Sequence, residues 1–219
     1  MARPKSFDPR AALQAAMEKF WESGYEATSL VDLTECMGVQ KASLYATWGD
    51  KRKLFMAALA QYQELHFGQF QEGLERAPSV RAYLRETLLR WMREAATRET
   101  ARGCLCVNTA VELGPRDPEI AKMLTLHSVR VEQAIAKALE CARLAGEVRQ
   151  DLDVTVAARF IYTTIYGLSA AGKGCYSAAK LEPVVDMAMS VLRHSSVTVM
   201  TRLAAFVSAV RRSSIPASW

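Results

Sequence analysis

Five cysteines (Cys36, Cys104, Cys106, Cys141 and Cys175) and three histidines (His66, His127 and His194) are the residues of this 219-residue chain best suited to nucleophilic or metal chemistry. Their spacing permits little of it. An odd, scattered cysteine set is no disulfide framework and fits a reducing compartment. The histidines are isolated and no Cys-x-x-Cys occurs, so no metal site is expected. No catalytic triad or paired acid and base stands out, so the expectation is a protein without catalytic residues or a cofactor. One motif argues for an enzyme. Gly167 to Lys173 spells G-x-x-x-x-G-K, most of a phosphate-binding loop, but Gly174 stands where a Ser or Thr must hold magnesium. The chain also lacks the alternating strands that such a loop requires.

Gly103-Cys104-Leu105-Cys106-Val107 is the remaining run with reactive side chains. Thiolate is the reactive form of cysteine, and a nearby ammonium favours it. Two apart on a helix, Cys104 and Cys106 are expected to point in different directions. The alternative for both is a pair of inert buried thiols.

The elements that must position these residues are helical. Half of the residues are hydrophobic, and only 11 glycines and 7 prolines interrupt them, which disfavours disorder and loop-rich β folds. Leu13, Met17, Phe20 and Trp21 share one helical face, ended by Gly24. Leu30, Leu33 and Met37 form a shorter face closed by Gly38, and Leu44 and Tyr45 lie in a third short segment. Asp50 is a plausible N-cap for a longer helix through Leu54, Phe55, Ala58, Leu59 and Tyr62. Beyond Gly68, Gly73 and Pro78 a long stripe runs from Val80 to Ala95, and a short helix is expected between Cys104 and Leu113. Asp117-Pro118 starts the next helix. Residues 154 to 171 are apolar nearly all round, and Leu181 to Leu192 give a further stripe. Residues 197 to 210 are expected to form a last helix, with a disordered tail from Arg211 to Trp219.

The most informative stretch is TSLVDLTECMGVQKASLYATWGDK, Thr28 to Lys51. Two short helices flank a tight Gly38-Val39 turn, and Ser29 with Asp32 has capping-box spacing. This is helix-turn-helix architecture, whose second helix enters the major groove of DNA. Such a helix needs small or polar side chains on one face so that its backbone approaches the bases. Gln40, Lys41, Ala42, Ser43, Ala46 and Thr47 supply that face, and Leu44 the buried one. Tyr45 can reach a phosphate with its hydroxyl. Lys51 opens the following helix, where its charge and the free N–H groups can meet another. The net charge of +5 suits a polyanionic partner without proving one.

Gly24-Tyr25, Thr28, Gly38-Val39, Ser43-Leu44-Tyr45, Gly49-Asp50-Lys51 and Leu54-Phe55 stand in an order and spacing that closely resemble the TetR family of bacterial transcriptional regulators. The resemblance implies an all-α fold, with a three-helix DNA-binding domain over residues 1–56 and a helical ligand-binding and dimerisation domain over residues 57–219. It implies phosphate contacts from Thr28, Tyr45 and Lys51, and base-proximal positions for Gln40, Lys41, Ala42, Ser43, Ala46, Thr47 and Trp48. Gln40 and Trp48 depart from the family's commoner serine and phenylalanine. Arg3, Lys5 and Arg10 are either a DNA-touching arm or a solvated end.

By the same resemblance the protein is a repressor and homodimer whose partners are a double-stranded operator and a small-molecule inducer. Residues 154 to 171 and 181 to 192 would build the dimer's four-helix bundle. Pocket candidates are the polar and aromatic residues on otherwise apolar helices: Trp91, Met92, Asn108, His127, Tyr162 and Tyr166. Cys104 joins them because its run resembles a segment of relatives that sense electrophiles and hypochlorite, in which a late lysine pairs with the cysteine. Lys173 holds a comparable place. The start of the chain lacks the apolar region of a signal peptide, and the longest uncharged run, Phe160 to Gly172, is too short to span a bilayer, so a cytoplasmic location is expected. A helical adaptor without duplex affinity is the rival reading.

Overall fold

The computed structural model describes residues 7–96, 102–174 and 176–193. The expected helix at 197 to 210, the tail after it, Arg3, Lys5, Cys175 and His194 lie outside these residues. Nine helices, and no strand, occur among the described residues.

The N-terminal helices follow local signals closely. α1 (Pro9–Ser23) starts with proline at its first turn, beneath an Asp8 carboxylate that accepts the Arg10 N–H. α2 (Leu30–Met37) has a complete capping box between Ser29 and Asp32, in which each residue satisfies an N–H that the helix leaves unpaired. Gly38 ends it at φ 62 and ψ 32, a left-handed conformation that a side chain disfavours and that the tight turn requires. α3 (Lys41–Trp48) follows and buries only Leu44. The Asp50 carboxylate caps α4 (Lys51–Arg76) by accepting the Lys53 N–H.

The remaining helices are α5 (Val80–Ala96), α6 (Leu105–Glu112), α7 (Pro118–Leu144), α8 (Val154–Gly174) and α9 (Ala178–Ser190). Asp117 caps α7 as its sequence signals predict, accepting the N–H groups of Glu119 and Ile120. Its carboxylate also takes a two-pronged hydrogen bond from Arg52 at 2.8 and 2.9 Å, which ties the start of α4 to the start of α7.

Apolar side chains gather in two cores, and α4 belongs to both. Phe20, Leu33, Leu44, Leu54, Phe55 and Leu59 pack beneath the first three helices, and Leu105, Leu113, Ile120 and Leu124 of the later segments complete that core. Further along α4, Phe67, Phe70 and Leu74 join Leu84, Leu88, Ile135, Ile161 and Val185 in the second. The 56/57 division therefore falls inside a continuous helix.

The phosphate-loop reading of Gly167 to Lys173 fails, because the whole segment lies within α8. Gly172 has a packing reason instead. A Cβ there would come within 3.0 Å of the Ala95 side chain and 3.2 Å of the α5 backbone, so glycine lets α8 lie close against α5.

Candidate functional site: a recognition helix and an aromatic cavity

The outward face of α3 carries no core duty. Gln40, Lys41, Ala42, Tyr45 and Ala46 are exposed, and Ser43 and Thr47 are half-buried. The single inward anchor, Leu44, is fully buried. The side chains on this face are short or polar, so backbone can approach a groove wall closely. Tyr45 stands at the rim with the Lys41 ammonium 5.9 Å from its ring centre. Lys51 lies over the Tyr25 ring at 4.4 Å, an attraction that holds its charge at the start of α4.

Two members of the predicted interface face inward. Thr28 is fully buried and donates its hydroxyl to the Gly24 carbonyl at 2.6 Å. Its hydroxyl closes the α1–α2 turn and is not offered to a phosphate. Trp48 is half-buried and packs its ring 6.0 Å from Phe7. The indole therefore braces the end of α3 more than it extends the reading face.

Behind the reading helices lies a cavity of about 350 Å³ between α1, α4, α5, α6, α7 and α8. Of the predicted pocket residues, Trp91, Cys104, His127, Tyr162 and Tyr166 line it. Met92 and Asn108 do not. Met92 sits one position beyond Trp91 on α5, which rotates it into the core, where it is fully buried. Asn108 donates its amide to the Arg102 carbonyl at 2.7 Å and so holds the approach to α6.

Sequence reading missed most of the aromatic wall. Tyr62, His66 and Phe70, spaced by four along α4, present one continuous seam to the cavity, with Phe67 beside it and Trp21 reaching in from α1. The four-residue spacing was a visible signal, but it is also the signature of ordinary core.

Besides Glu94 and Arg102, two polar clusters meet the cavity, Ser128 joining the first as the partner of two lining tyrosines. Ser128, Tyr162 and Tyr166 bring their hydroxyls together at 3.4 to 3.5 Å. Cys104 and Cys106 form the other polar end. Cys104 is the N-cap of α6 with extended backbone, and it and Cys106 both line the cavity as free thiols. The Tyr62 hydroxyl donates to the Cys104 sulfur at 3.6 Å, and the Cys106 thiol adds to the stabilisation of its charged form. The Cys106 and Val107 N–H groups also face the sulfur without closing a formal cap. These donors hold the Cys104 thiol down at about 6 against the opposing effect of burial, with Cys106 the largest contributor. Cys106 moves the opposite way. Lys173 is not among the principal causes; its side chain runs alongside Gly103.

Burial, helped by the Arg130 charge, pushes His127 down to about 4, although Glu64 works the other way. His66 is lowered by burial and by Arg90. Both imidazoles are therefore neutral at pH 7, so the interior favours uncharged occupants apart from Glu94 and Arg102 on its lining. Among the described residues no group of three or more His, Cys, Asp or Glu is placed to hold a metal ion, and no helix is long and apolar enough to cross a membrane.

A capped helix-turn-helix on a helical body that encloses a cavity defines a DNA-binding regulator rather than an enzyme. Residues 12–58 match the family model for bacterial regulatory proteins of the tetR family, and residues 74–187 match the Tetracyclin repressor-like C-terminal domain. The chain is 35% identical over 193 residues to the HTH-type transcriptional regulator YezE of Bacillus subtilis (strain 168), covering 88% of this chain and 100% of YezE. It is 34% identical to the HTH-type transcriptional repressor ComR of Escherichia coli (strain K12), covering 87% of this chain and 90% of ComR. A cysteine mutant of the TetR family regulator CifR, solved with a 26 bp double-strand operator, superposes with a TM-score of 0.77 at 32% identity, over 87% of this chain and 100% of that one. The chain belongs to the TetR family of transcriptional regulators. Dimers and small-molecule ligands are typical of that family.

Proposed function

We propose that this regulator is a cytoplasmic homodimeric repressor that releases its operator when the aromatic cavity is filled or Cys104 is modified. The observation that carries the DNA-binding part is the face of α3, which is short-chained and solvent-facing on a helix that buries one residue. Gln40, Lys41, Ala42, Ser43, Ala46 and Thr47 lie nearest the bases, and Tyr45 and Lys51 take phosphates. A dimer sets two such helices roughly 34–36 Å apart, one turn of duplex.

The dimer surface is the outer side of α8 and α9. Val156 and Phe160, four apart on α8, and Val184 and Met187, three apart on α9, are large apolar side chains left in solvent within one protomer. Pairing these helices with their symmetry copies covers them.

The release signal belongs to the cavity. CifR, the relative solved with operator DNA, was studied as a cysteine mutant, and here the Cys104 side chain lines an aromatic cavity. An activated alkene is one reactive class that fits. The thiolate sulfur bonds to the β-carbon, the π pair moves to the conjugated carbonyl oxygen, and water supplies the proton that completes the adduct. An uncharged molecule held by the hydroxyl trio and the aromatic seam is the non-covalent counterpart.

Selection of bound duplexes from a random pool tests the reading. A palindromic consensus is expected, with affinity falling steeply as salt rises because phosphate contacts release counterions. Absence of duplex binding at low salt overturns it in favour of the adaptor.

A further inference from the structure

Trp21 joins the two halves of the molecule in a way that neither half requires by itself. It sits on α1, one of the three reading-unit helices, yet its ring lines the cavity. Its indole Nε1 donates to the Gly103 carbonyl at 2.9 Å, one residue before Cys104. The ring stands edge to face with Tyr62 at 5.0 Å, and Tyr62 is the residue whose hydroxyl meets the Cys104 sulfur. The Arg102 guanidinium lies over the Trp21 ring, 5.8 Å from its centre. A group added to the Cys104 sulfur meets Tyr62, which touches that sulfur and packs in turn on Trp21.

The other end of α6 is fastened to the same part of α1. The Glu112 carboxylate accepts the Tyr25 N–H at 3.0 Å and the Glu26 N–H at 2.8 Å, just past the end of α1. Thus α6 is held to α1 at Gly103 and again at Glu112. Of these two attachments only the first lies on the cavity.

We propose that Trp21 is an effector contact as well as the strut that relays cavity occupancy to the reading helices. The inference rests on the cavity being the effector site. An occupant at Cys104 displaces the indole from the Gly103 carbonyl, and α1 turns about its remaining attachment at Glu112. α2 and α3, packed on α1 and α4 through Leu33 and Leu44, shift with it. Binding linkage then requires the reverse effect, so operator DNA weakens binding in the cavity by the same factor.

The test uses the full chain and four variants. Trp21→Phe keeps a ring against Tyr62 and removes the donor. If its unfolding is not cooperative, 3-benzothienylalanine at position 21, isosteric with Trp and without an N–H, replaces it. Glu112→Gln weakens the distant attachment and leaves the cavity intact. Cys104→Met supplies a longer, uncharged side chain at the thiol position without needing any reaction. N-ethylmaleimide supplies the covalent occupant, with the adduct located by peptide mass spectrometry. Two quantities are read: amide hydrogen exchange over residues 9–28 without DNA, and affinity for the selected duplex.

In the wild-type background, the adduct or Cys104→Met is expected to speed exchange near residues 20–28 and to weaken duplex binding about tenfold, a usual size for coupling between sites. With Trp21→Phe, exchange there is already fast, and the same occupants change both readings less than about twofold. With Glu112→Gln, baseline exchange rises and the response to occupants is retained. A full response in the absence of the Trp21 N–H overturns the proposal. So does unchanged exchange in the wild-type background with either occupant. If exchange responds but no duplex binds, the relay stands and the regulator reading fails.

Discussion

The recognition helix and the aromatic cavity solve opposite problems. α3 presents a convex face made from near-consecutive residues of one short helix, held by the buried Leu44 and braced at its end by Trp48. The cavity is concave and collects side chains from six helices, with Trp21 and Ser169 separated by most of the chain. A face built from one helix is fixed by local caps and changes with single surface residues. A hollow assembled from six depends on packing, and its chemistry depends on which neighbours meet. The first offers short and polar side chains to solvent, while the second sets a tuned thiol among mainly aromatic walls.

The sharpest way to break this contrast is to place a charge on the convex face. Ala42→Glu sets a carboxylate against phosphates and base edges, where like charges cost several kcal/mol. Duplex affinity should fall about a hundredfold or more by titration, while the melting temperature stays within about one degree, as at other exposed sites. Unchanged affinity would remove α3 from the interface.

The cavity's half of the contrast is tested by thiol chemistry. With Cys104 held at about 6 by its donors, thiolate is present above that pH and lost below it. The rate of iodoacetamide modification at Cys104, read by mass spectrometry, should therefore be level from pH 7 to 8 and fall below about 6. Tyr62→Phe removes one donor and should move the midpoint upward. A midpoint near that of a free cysteine in the wild-type chain would make the thiol ordinary.

Much of the reading unit was legible in the sequence because its signals are local. Ser29 with Asp32, Gly38 and Asp50 each act within a few residues of themselves, and the helices begin and end where these residues direct. Thr28 was misjudged because the family pattern marks its position and not the direction of its hydroxyl, which turns inward to Gly24. The cavity was legible only in part. Trp91 and Met92 are adjacent and similar in type, and only the packing of α5 against α8 decides which one faces the hollow. Trp21 gave no signal, since its position fits the α1 stripe whether or not a cavity lies behind it. The cysteine geometry turned on one residue of helix boundary: Cys104 lies just outside α6, not within it.

A smaller effect distinguishes the neutral interior from the charged exterior. His127 titrates near 6.5 when unfolded and near 4 when folded. The unfolded chain thus binds the proton first as pH drops, so stability is full above about 6.5 and declines toward about 4. Burial causes most of this shift, with Arg130 and His66 adding to it and Glu64 opposing it. His127→Phe should flatten this decline, by a few degrees of melting temperature between pH 7 and 5. An identical slope in the variant would assign the acid sensitivity elsewhere.

The smallest expected change is at the α2 cap. Ser29→Ala removes one half of the capping box and should cost about 1 kcal/mol in denaturant unfolding. Its effect on duplex affinity should exceed its effect on cavity occupancy, because α2 is adjacent to α3 and distant from the thiol.

The floor beneath the reading helices is laid partly by Leu105, Leu113, Ile120 and Leu124, which the chain delivers some fifty residues or more after α3. A chimaera that transplants only the first fifty-six residues onto another regulator would carry its specificity face on a foundation shaped for a different body. Exchanging specificities between relatives therefore means moving α6 and the first turns of α7 together with the head, or rewriting α3 in place.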